Sequence, residues 1–523
     1  MDKYNRKRAR MRWKIWSIAI ASMMLVVFGF GARAQEATAE PTAEATQAIV
    51  APVDSTTETT EMLMSDEDVL AADVATTLTT DARLDTTWIL VAGFLVFFMQ
   101  TGFAILEAGL VRQTAVVNTL LENFVDAGFT AIMFWLVGFG VAFGADAGGL
   151  IGTDNFMLAK AIVIEDGVVR YPSIMWANPD LLYPNVTVLV FFFFQFAFAA
   201  TASTITTGAM AERTDFLGDL IYTSIMAAFT YPIIVHWVWG GGWLGDASFH
   251  DFAGSTVVHT VGGFTGLIGA ALLGPRPNRK FGEFPPAHNL GLATLGTMIL
   301  WFGWYGFNPG STLGMGNPGL VGLIVLNTTL GAGAGLVACM FLVYARTGKW
   351  DLVFALNGAL AGLVAITAGC AFVLPASSIV IGAVAGIVMY FCVGFIENLK
   401  IDDPVGAFSV HGACGVWGTV AIGIFGAPEL MFGAFAGKGG LLAGGGLESL
   451  ILQFGGVMAV AGATVAMSFV MFSALKAFNR LRVDPVGDKI SIDAYEHGVS
   501  AWPDVLPMPS ISIEKGARPA VGD

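Results

Sequence analysis

The sequence predicts an all-α membrane protein of eleven transmembrane helices organised around an inverted five-helix repeat. Three observations predict it. The 523-residue chain is 55% hydrophobic and only 13% charged, about half the charged fraction of a soluble domain, so lipid must solvate much of its surface. Long stretches, 181–211, 220–245, 252–275 and 404–428 among them, contain no Asp, Glu, Lys or Arg. A polar motif containing histidine also recurs far apart in the chain, inside two of these stretches.

Taken in order, the chain opens on Lys3, Arg6, Lys7, Arg8, Arg10, Arg12 and Lys14, followed by an apolar run from Ile15 to Phe30 and then Ala32-Arg33-Ala34 before Gln35. A basic start, an apolar core and a small-x-small end make residues 1–34 a signal peptide; the alternative is an uncleaved first helix. Residues 35–84 hold eleven acids and one base, Arg83, among Ala, Thr and Glu. They read as a disordered acidic linker. Most of the net charge of −14 sits there and says little about a partner.

A span needs about 20 apolar residues, because the hydrocarbon is about 30 Å thick and a helix rises about 1.5 Å per residue. The charge-free runs, split at the Gly-rich 310–319 and at Pro375, give spans near 86–111, 120–144, 186–211, 217–243, 253–274, 288–310, 319–345, 352–374, 376–396, 404–426 and 448–475. The transmembrane domain is thus 85–476, with a tail at 477–523. An odd number of spans puts the termini on opposite sides. One set of loops carries Arg112, Arg213, Arg276, Arg279, Lys280, Arg346, Lys349 and Lys400, the other only Lys160, Arg170 and Lys438. The richer set is cytoplasmic. The N-terminus is therefore outside, in a cell membrane (the inner membrane if the cell is Gram-negative), and the tail is cytoplasmic.

The recurring motif is D-x2-G-x3-V-H-x3-G-x2-G. It runs through Asp251, Gly254, Val258, His259, Gly263 and Gly266, and again through Asp403, Gly406, Val410, His411, Gly415 and Gly418. It opens the fifth and the tenth span. An offset of five spans reverses direction, the inverted-repeat architecture that places substrate near the membrane midplane. Each Asp sits where its helix starts and can cap free N–H groups. Each His lies eight residues on, about 12 Å deeper, so two histidines entering from opposite faces meet near the centre. One buried histidine is ordinarily an interhelical hydrogen bond. Two at equivalent repeat positions mark a pathway, since ionisable groups at that depth are costly.

At these residues the sequence resembles the Amt/MEP branch of the ammonium transporter family, over roughly 88–500. The segments that carry the resemblance are Ala211-Glu212-Arg213, Val238-Trp239-Gly240-Gly241-Gly242, the two Asp…His motifs, Gly303-Trp304 and Phe307-Asn308-Pro309-Gly310-Ser311. The resemblance implies a homotrimer with one pore per subunit. It implies an outer ammonium site of Trp239, Ser311 and Phe198 with Asp251 as a nearby acid, stacked gates Phe198 and Phe307, and a pore or proton relay of His259 and His411. Phe194, Trp304 and Asp403 are further candidates. It also implies, as a partner, a PII-type regulatory protein on the cytoplasmic face. Relatives in plants carry a phosphorylatable threonine where Tyr495 stands, which puts that switch in doubt here.

These residue types suit the chemistry. An indole face attracts a cation, and a hydroxyl oxygen accepts an N–H bond that potassium cannot donate. A full charge crossing a dry pore costs several kcal/mol at least, so shedding a proton first removes most of the barrier, and neutral imidazoles can donate and accept. The readings held against ammonium transport are an ammonium sensor signalling through a cytoplasmic partner and a Rhesus-type ammonia gas channel. No nucleophile–base pair or cofactor motif points to an enzyme, and nothing points to nucleic acid. Cys339, Cys370, Cys392 and Cys414 lie in apolar runs without metal-ligand spacing. His236 reads as a packing residue, and Glu107, Glu122 and Asp126 as acids that pair at helix or subunit interfaces.

Overall fold

The computed structural model describes residues 66–503 and two short strands, Ile511–Ser512 and Ala520–Val521, which pair antiparallel. The expected signal peptide and most of the acidic linker lie outside the described residues. Among the described residues, eleven helices are long and apolar enough to span a membrane. In chain order they are α1 (Thr80–Leu110), α2 (Gln113–Phe143), α3 (Val188–Met210), α4 (Phe216–Asp246), α5 (Ser255–Leu273), α6 (Leu290–Gly310), α7 (Pro318–Thr347), α8 (Leu352–Gly369), α9 (Pro375–Asn398), α10 (Phe408–Phe425) and α11 (Glu448–Ala477).

One expectation needs correcting. The composition predicts a disordered linker over 35–84, yet the chain is helical from Asp66 to Thr77 and again from Thr80. Two contacts order it: Leu70 is buried, and the Asp73 carboxylate accepts from the Ser173 hydroxyl at 2.5 Å and its amide at 2.8 Å. Thr79 then caps α1 through the Ala82 amide.

The two halves meet where α5 crosses α10. Thr256 bonds Thr419 at 2.6 Å, and His259 lies against His411. A Cβ on Gly263 would fall 2.3 Å from the Gly412 nitrogen, and one on Gly415 2.5 Å from the Ser255 carbonyl. Rising positions in α5 therefore meet falling positions in α10, an antiparallel crossing. Gly263 and Gly415 are the same motif position in the two copies, and each permits the backbones to touch. The starts are alike too. Asp251 accepts from the Gly254, Thr256 and Val257 amides, and Asp403 from Gly406, Ala407 and Phe408. Gly254 and Gly406 take positive φ, +111° and +78°, a turn that glycine makes at little cost. Each copy then enters its helix through a wide π-helical turn, 255–260 and 408–413, a feature that clusters at functional sites.

On the side that carries the tail, Arg213 is fully buried and donates to the Ala211, Gly274 and Asp402 carbonyls. Arg276 forks onto both Asp402 oxygens at 2.8 Å and reaches Glu212 at 2.5 Å. The Ala-Glu-Arg segment is thus a clasp joining the α3–α4 turn to the α5–α6 and α9–α10 loops. Burial alone would raise the Asp402 carboxyl, but the Arg276 hydrogen bonds and the nearby Arg213 charge hold it well below the usual carboxylate range. The tail returns to this side, where Asp493 caps α2 by accepting from the Val117 and Asn118 amides.

Candidate functional site

On the opposite side a cavity of about 330 Å³ is lined by Phe194, Phe198, Trp239, Asp251 and Ser311, with Phe249, Phe372 and Phe432 on its rim. Trp239 ends the long helical part of α4, and its indole N–H donates to the Asp251 carbonyl at 2.7 Å. That bond fixes the ring and leaves its face free for a cation. Ser311 sits just past α6, where its hydroxyl donates to the Phe307 carbonyl at 2.8 Å. With the proton so used, the oxygen lone pairs remain as acceptors toward the cavity. Asp251 is 4% exposed and uses its carboxylate on backbone amides, so it acts on the cavity through its field. Burial raises this carboxyl to about 6, against the opposing pull of those amides.

The cavity floor is aromatic. Phe198 and Phe307 stack with centroids 4.1 Å apart, and both are buried. Phe194 packs on Phe198 at 4.7 Å, and Phe198 meets Trp239 edge-on at 6.2 Å. Below the floor, His259 lies nearly parallel to Phe307 at 5.4 Å and to Trp304 at 5.2 Å. Trp304 is held by its N–H to the Thr367 hydroxyl, 2.8 Å. The His259 and His411 rings are 5.2 Å apart, with Nδ1 facing Nδ1 at 3.1 Å. Two facing Nδ1 atoms can bond only if one holds the proton and the other accepts it, so the pair shares one hydrogen in its neutral state. His259 Nε2 is buried and has no partner among the described residues.

All eleven candidate assignments fall on this single axis or its caps. Trp239, Ser311, Phe198 and Asp251 border the cavity, Phe198 and Phe307 form the stack, and His259 and His411 lie beneath it. Phe194 backs the stack, Trp304 walls the first histidine, and Asp403 caps the helix that bears the second. Other neighbours were not singled out from the sequence. Thr367 orients Trp304, and Phe103 lies 6.1 Å from the His411 ring. His250 accepts from the Phe432 amide at 3.2 Å, stacks on that ring at 4.0 Å, and so pins the rim. His236 bonds the Ala142 carbonyl and Asp146, and so anchors a loop outside the site.

The family model of the Ammonium Transporter Family matches residues 87–502. The chain belongs to the ammonium transporter family. It is 39% identical over 440 residues to "Ammonium transporter Amt2" of Archaeoglobus fulgidus, covering 81% of this chain and 89% of that protein. It is 33% identical to "Ammonium transporter 3" of Dictyostelium discoideum, over 83% of this chain and 97% of the relative. Among solved structures it resembles one titled "Sensor Amt Protein", with TM-score 0.70 and 36% identity over 80% of this chain and 99% of that one. It also resembles Mep2 of Candida albicans, with TM-score 0.71 and 28% identity over 84% and 94% of the two chains. With eleven apolar helices of this fold, this ammonium transporter family member is a multi-pass membrane protein.

Proposed function

We propose that this family member carries ammonium across a membrane by capturing the cation in the aromatic cavity, removing a proton at the phenylalanine stack, and passing ammonia along the histidine pair. The observation that carries this reading is the stack of layers on one axis. An indole and a hydroxyl oxygen border the cavity, two stacked phenyl rings close its floor, and two imidazoles in mutual contact lie below.

Each layer has a physical task. The indole face and the field of Asp251 favour any small cation. The Ser311 oxygen favours one that donates a hydrogen bond. The phenyl stack is too apolar to solvate a full charge, so a neutral molecule crosses it at far lower cost. The imidazoles replace the water that ammonia leaves behind, and their shared hydrogen gives the departing proton a route. The same reading takes the protein as a homotrimer with a pore in each subunit. The cavity then faces outward and the tail lies in the cytoplasm, within reach of a PII-type regulator.

Proteoliposome currents with ammonium, methylammonium and potassium test it. Current should flow with the first two and not with potassium. Equal ammonium currents in wild type and in a His259→Ala/His411→Ala double variant would reject the relay. A second reading, an ammonium sensor working through a partner, is favoured by the likeness to the protein titled as a sensor. It requires saturable ammonium binding without flux in the same vesicles.

A further inference from the structure

Beside the tail-side half of the pore lies a group of acids that the transport reading does not use. Glu107 is in the last turn of α1, Glu122 and Asp126 are in α2, and Asp219 is in the first turn of α4. All four are at most 2% exposed. They are electrostatic neighbours: Asp126 and Asp219 act on Glu107, while Asp126 and Glu107 act on Glu122. Among the described residues none of the four takes part in an ion pair.

Neutral donors meet only part of the demand. Asn123 donates to one oxygen of Glu107 at 2.8 Å. Thr207 and Thr223 donate to the two oxygens of Asp126 at 2.6 and 2.5 Å, and Tyr222 donates to Asp219 at 2.5 Å. The second oxygen of Asp219 is buried and has no donor, and the two buried oxygens of Glu122 have beside them the neutral side-chain amide of Asn118 rather than a cation. Thr119, on the same face of α2 as Glu122 and Asp126, has a buried hydroxyl that is also without a partner.

The second observation concerns space. Gly208 in α3 leaves a hollow that Glu107 fills, and a Cβ there would fall 2.9 Å from a Glu107 oxygen and 3.0 Å from Val405. Val405 belongs to the turn that Asp403 caps at the start of the His411 helix, and Asp403 is a further electrostatic neighbour of Glu107. Phe103, one turn before Glu107, lies 6.1 Å from the His411 ring, centroid to centroid. The other charged or titratable groups facing the cluster are Tyr222, Asp493 on the docked tail, and His497, which bonds Asn118. None is a permanent cation.

Four enclosed carboxylates without a counter-charge would carry an electrostatic cost that the few neutral donors do not offset. Protons remove it. A proton on Glu122 turns one buried oxygen into a donor and can serve the acceptors beside it. We propose that Glu107, Glu122, Asp126 and Asp219 form a proton-binding site, separate from the histidine pair, that accepts the proton leaving the pore on the tail side. The second half of this statement rests on the transport reading above. In that step an imidazole N–H bond breaks, an O–H bond forms at a carboxylate, and a proton already held on the cluster leaves to tail-side water.

The two halves are tested separately in the purified full-length protein. Infrared spectroscopy at neutral pH reads protonated carboxyls by their C=O band and its shift in heavy water. Wild type should show the band, and Glu122→Gln and Asp219→Asn should each weaken it without lowering the unfolding temperature, since each replaces a neutral carboxyl by a neutral amide of the same shape. Absence of the band, or a band unchanged in both variants, overturns the site. In proteoliposomes the ammonium current of Glu122→Gln should fall by about tenfold. That is less than the ~100-fold contributed by one positioned acid–base group, because three carboxyls remain. An unchanged current with an altered band overturns the acceptor role alone. If the histidine double variant conducts like wild type, the relay fails while the infrared result on the cluster still stands.

Discussion

On the proposed transport reading, replacing Ser311 with alanine isolates the acceptor that would separate ammonium from an alkali cation. The hydroxyl proton is committed to the Phe307 carbonyl at 2.8 Å, so the oxygen can only accept from the cavity. A hydrogen bond to a charged donor contributes about 1.5–3 kcal/mol, and about 1.4 kcal/mol is a factor of ten. Ser311→Ala should therefore weaken ammonium binding by about 10- to 100-fold. The lower end is expected, because the Phe307 carbonyl loses its donor and can accept from the cation in the hydroxyl's place. The assay is uptake of labelled methylammonium into proteoliposomes, with unlabelled ammonium or potassium as competitor. In Ser311→Ala the ammonium concentration giving half inhibition should rise at least about tenfold, while any competition by potassium stays as it was. Ser311→Thr keeps the oxygen and should stay near wild type. Wild-type ammonium competition in Ser311→Ala would refute the assignment of the hydroxyl as an acceptor.

Trp239→Leu keeps an apolar wall and removes the π face; a loss of about 2 kcal/mol predicts about 30-fold weaker ammonium competition in the same assay, and no change would exclude a cation–π contact. The Asp251 carboxyl, raised to about 6 mainly by burial, is charged above that pH and neutral below it. Half-saturating ammonium should accordingly rise as cavity-side pH falls from about 7 to about 5, and Asp251→Asn should flatten that profile. The sign for stability is the reverse. A folded value above the ordinary 3.8 favours the fold at low pH, and this contribution is lost as pH rises through about 6. Arg276→Ala removes the partner shared by Asp402 and Glu212 but leaves Arg279 on the first and Arg112 on the second, so the loss should be below the about 3–5 kcal/mol of a buried charge left wholly unpaired; an unfolding temperature equal to wild type would show that the clasp is not structural.

Some of this was legible in the sequence and some could not have been. Span positions followed from apolarity, because the lipid sets the length. Their ends did not, because a helix continues into water wherever a cap or a packing contact holds it. Thus α1 begins at Thr80 rather than 86, through Thr79 and beyond the acids Asp81 and Asp85. The meeting of His259 and His411 was readable from one number, the constant offset between two motifs. The aromatic site was not, since nothing in the composition marks Phe198 among 40 phenylalanines; the ordered resemblance supplied it. The wide turns that aim both histidines leave no residue signature. Neither do contacts far apart in sequence, such as Thr367 on Trp304 or Asp493 on α2, which depend on the completed fold. Glu107 and Asp126 accept from Asn123, Thr207 and Thr223 at helix interfaces, whereas Glu122 and Asp219 lie beside other acids with no cation among the described residues to balance them, an arrangement that local sequence logic does not predict.

On the proposed transport reading, the two copies of the motif also give a reason for capture to belong to one end of the pore. Each copy caps its helix with an aspartate that accepts three amides, so by backbone alone the two ends are alike. Their surroundings differ. Asp251 opens on a cavity with an indole and a free hydroxyl oxygen, and the groups acting on its carboxyl are backbone amides. Asp403 lies beside Arg213, and its neighbour Asp402 is forked by Arg276. A cation approaching the first aspartate meets attraction with little opposition, whereas one approaching the second meets the Arg213 guanidinium, which offsets it. Symmetry of the scaffold thus brings two imidazoles into contact, and on the proposed reading asymmetry of the caps would decide where a cation waits before it gives up a proton. Moving the clasp charge should move that preference. Arg213→Gln, which keeps donors but removes the charge, should raise cation affinity at the tail-side mouth. Ammonium binding measured from that side of oriented vesicles would show it, and equal affinity from both sides in wild type would refute the argument.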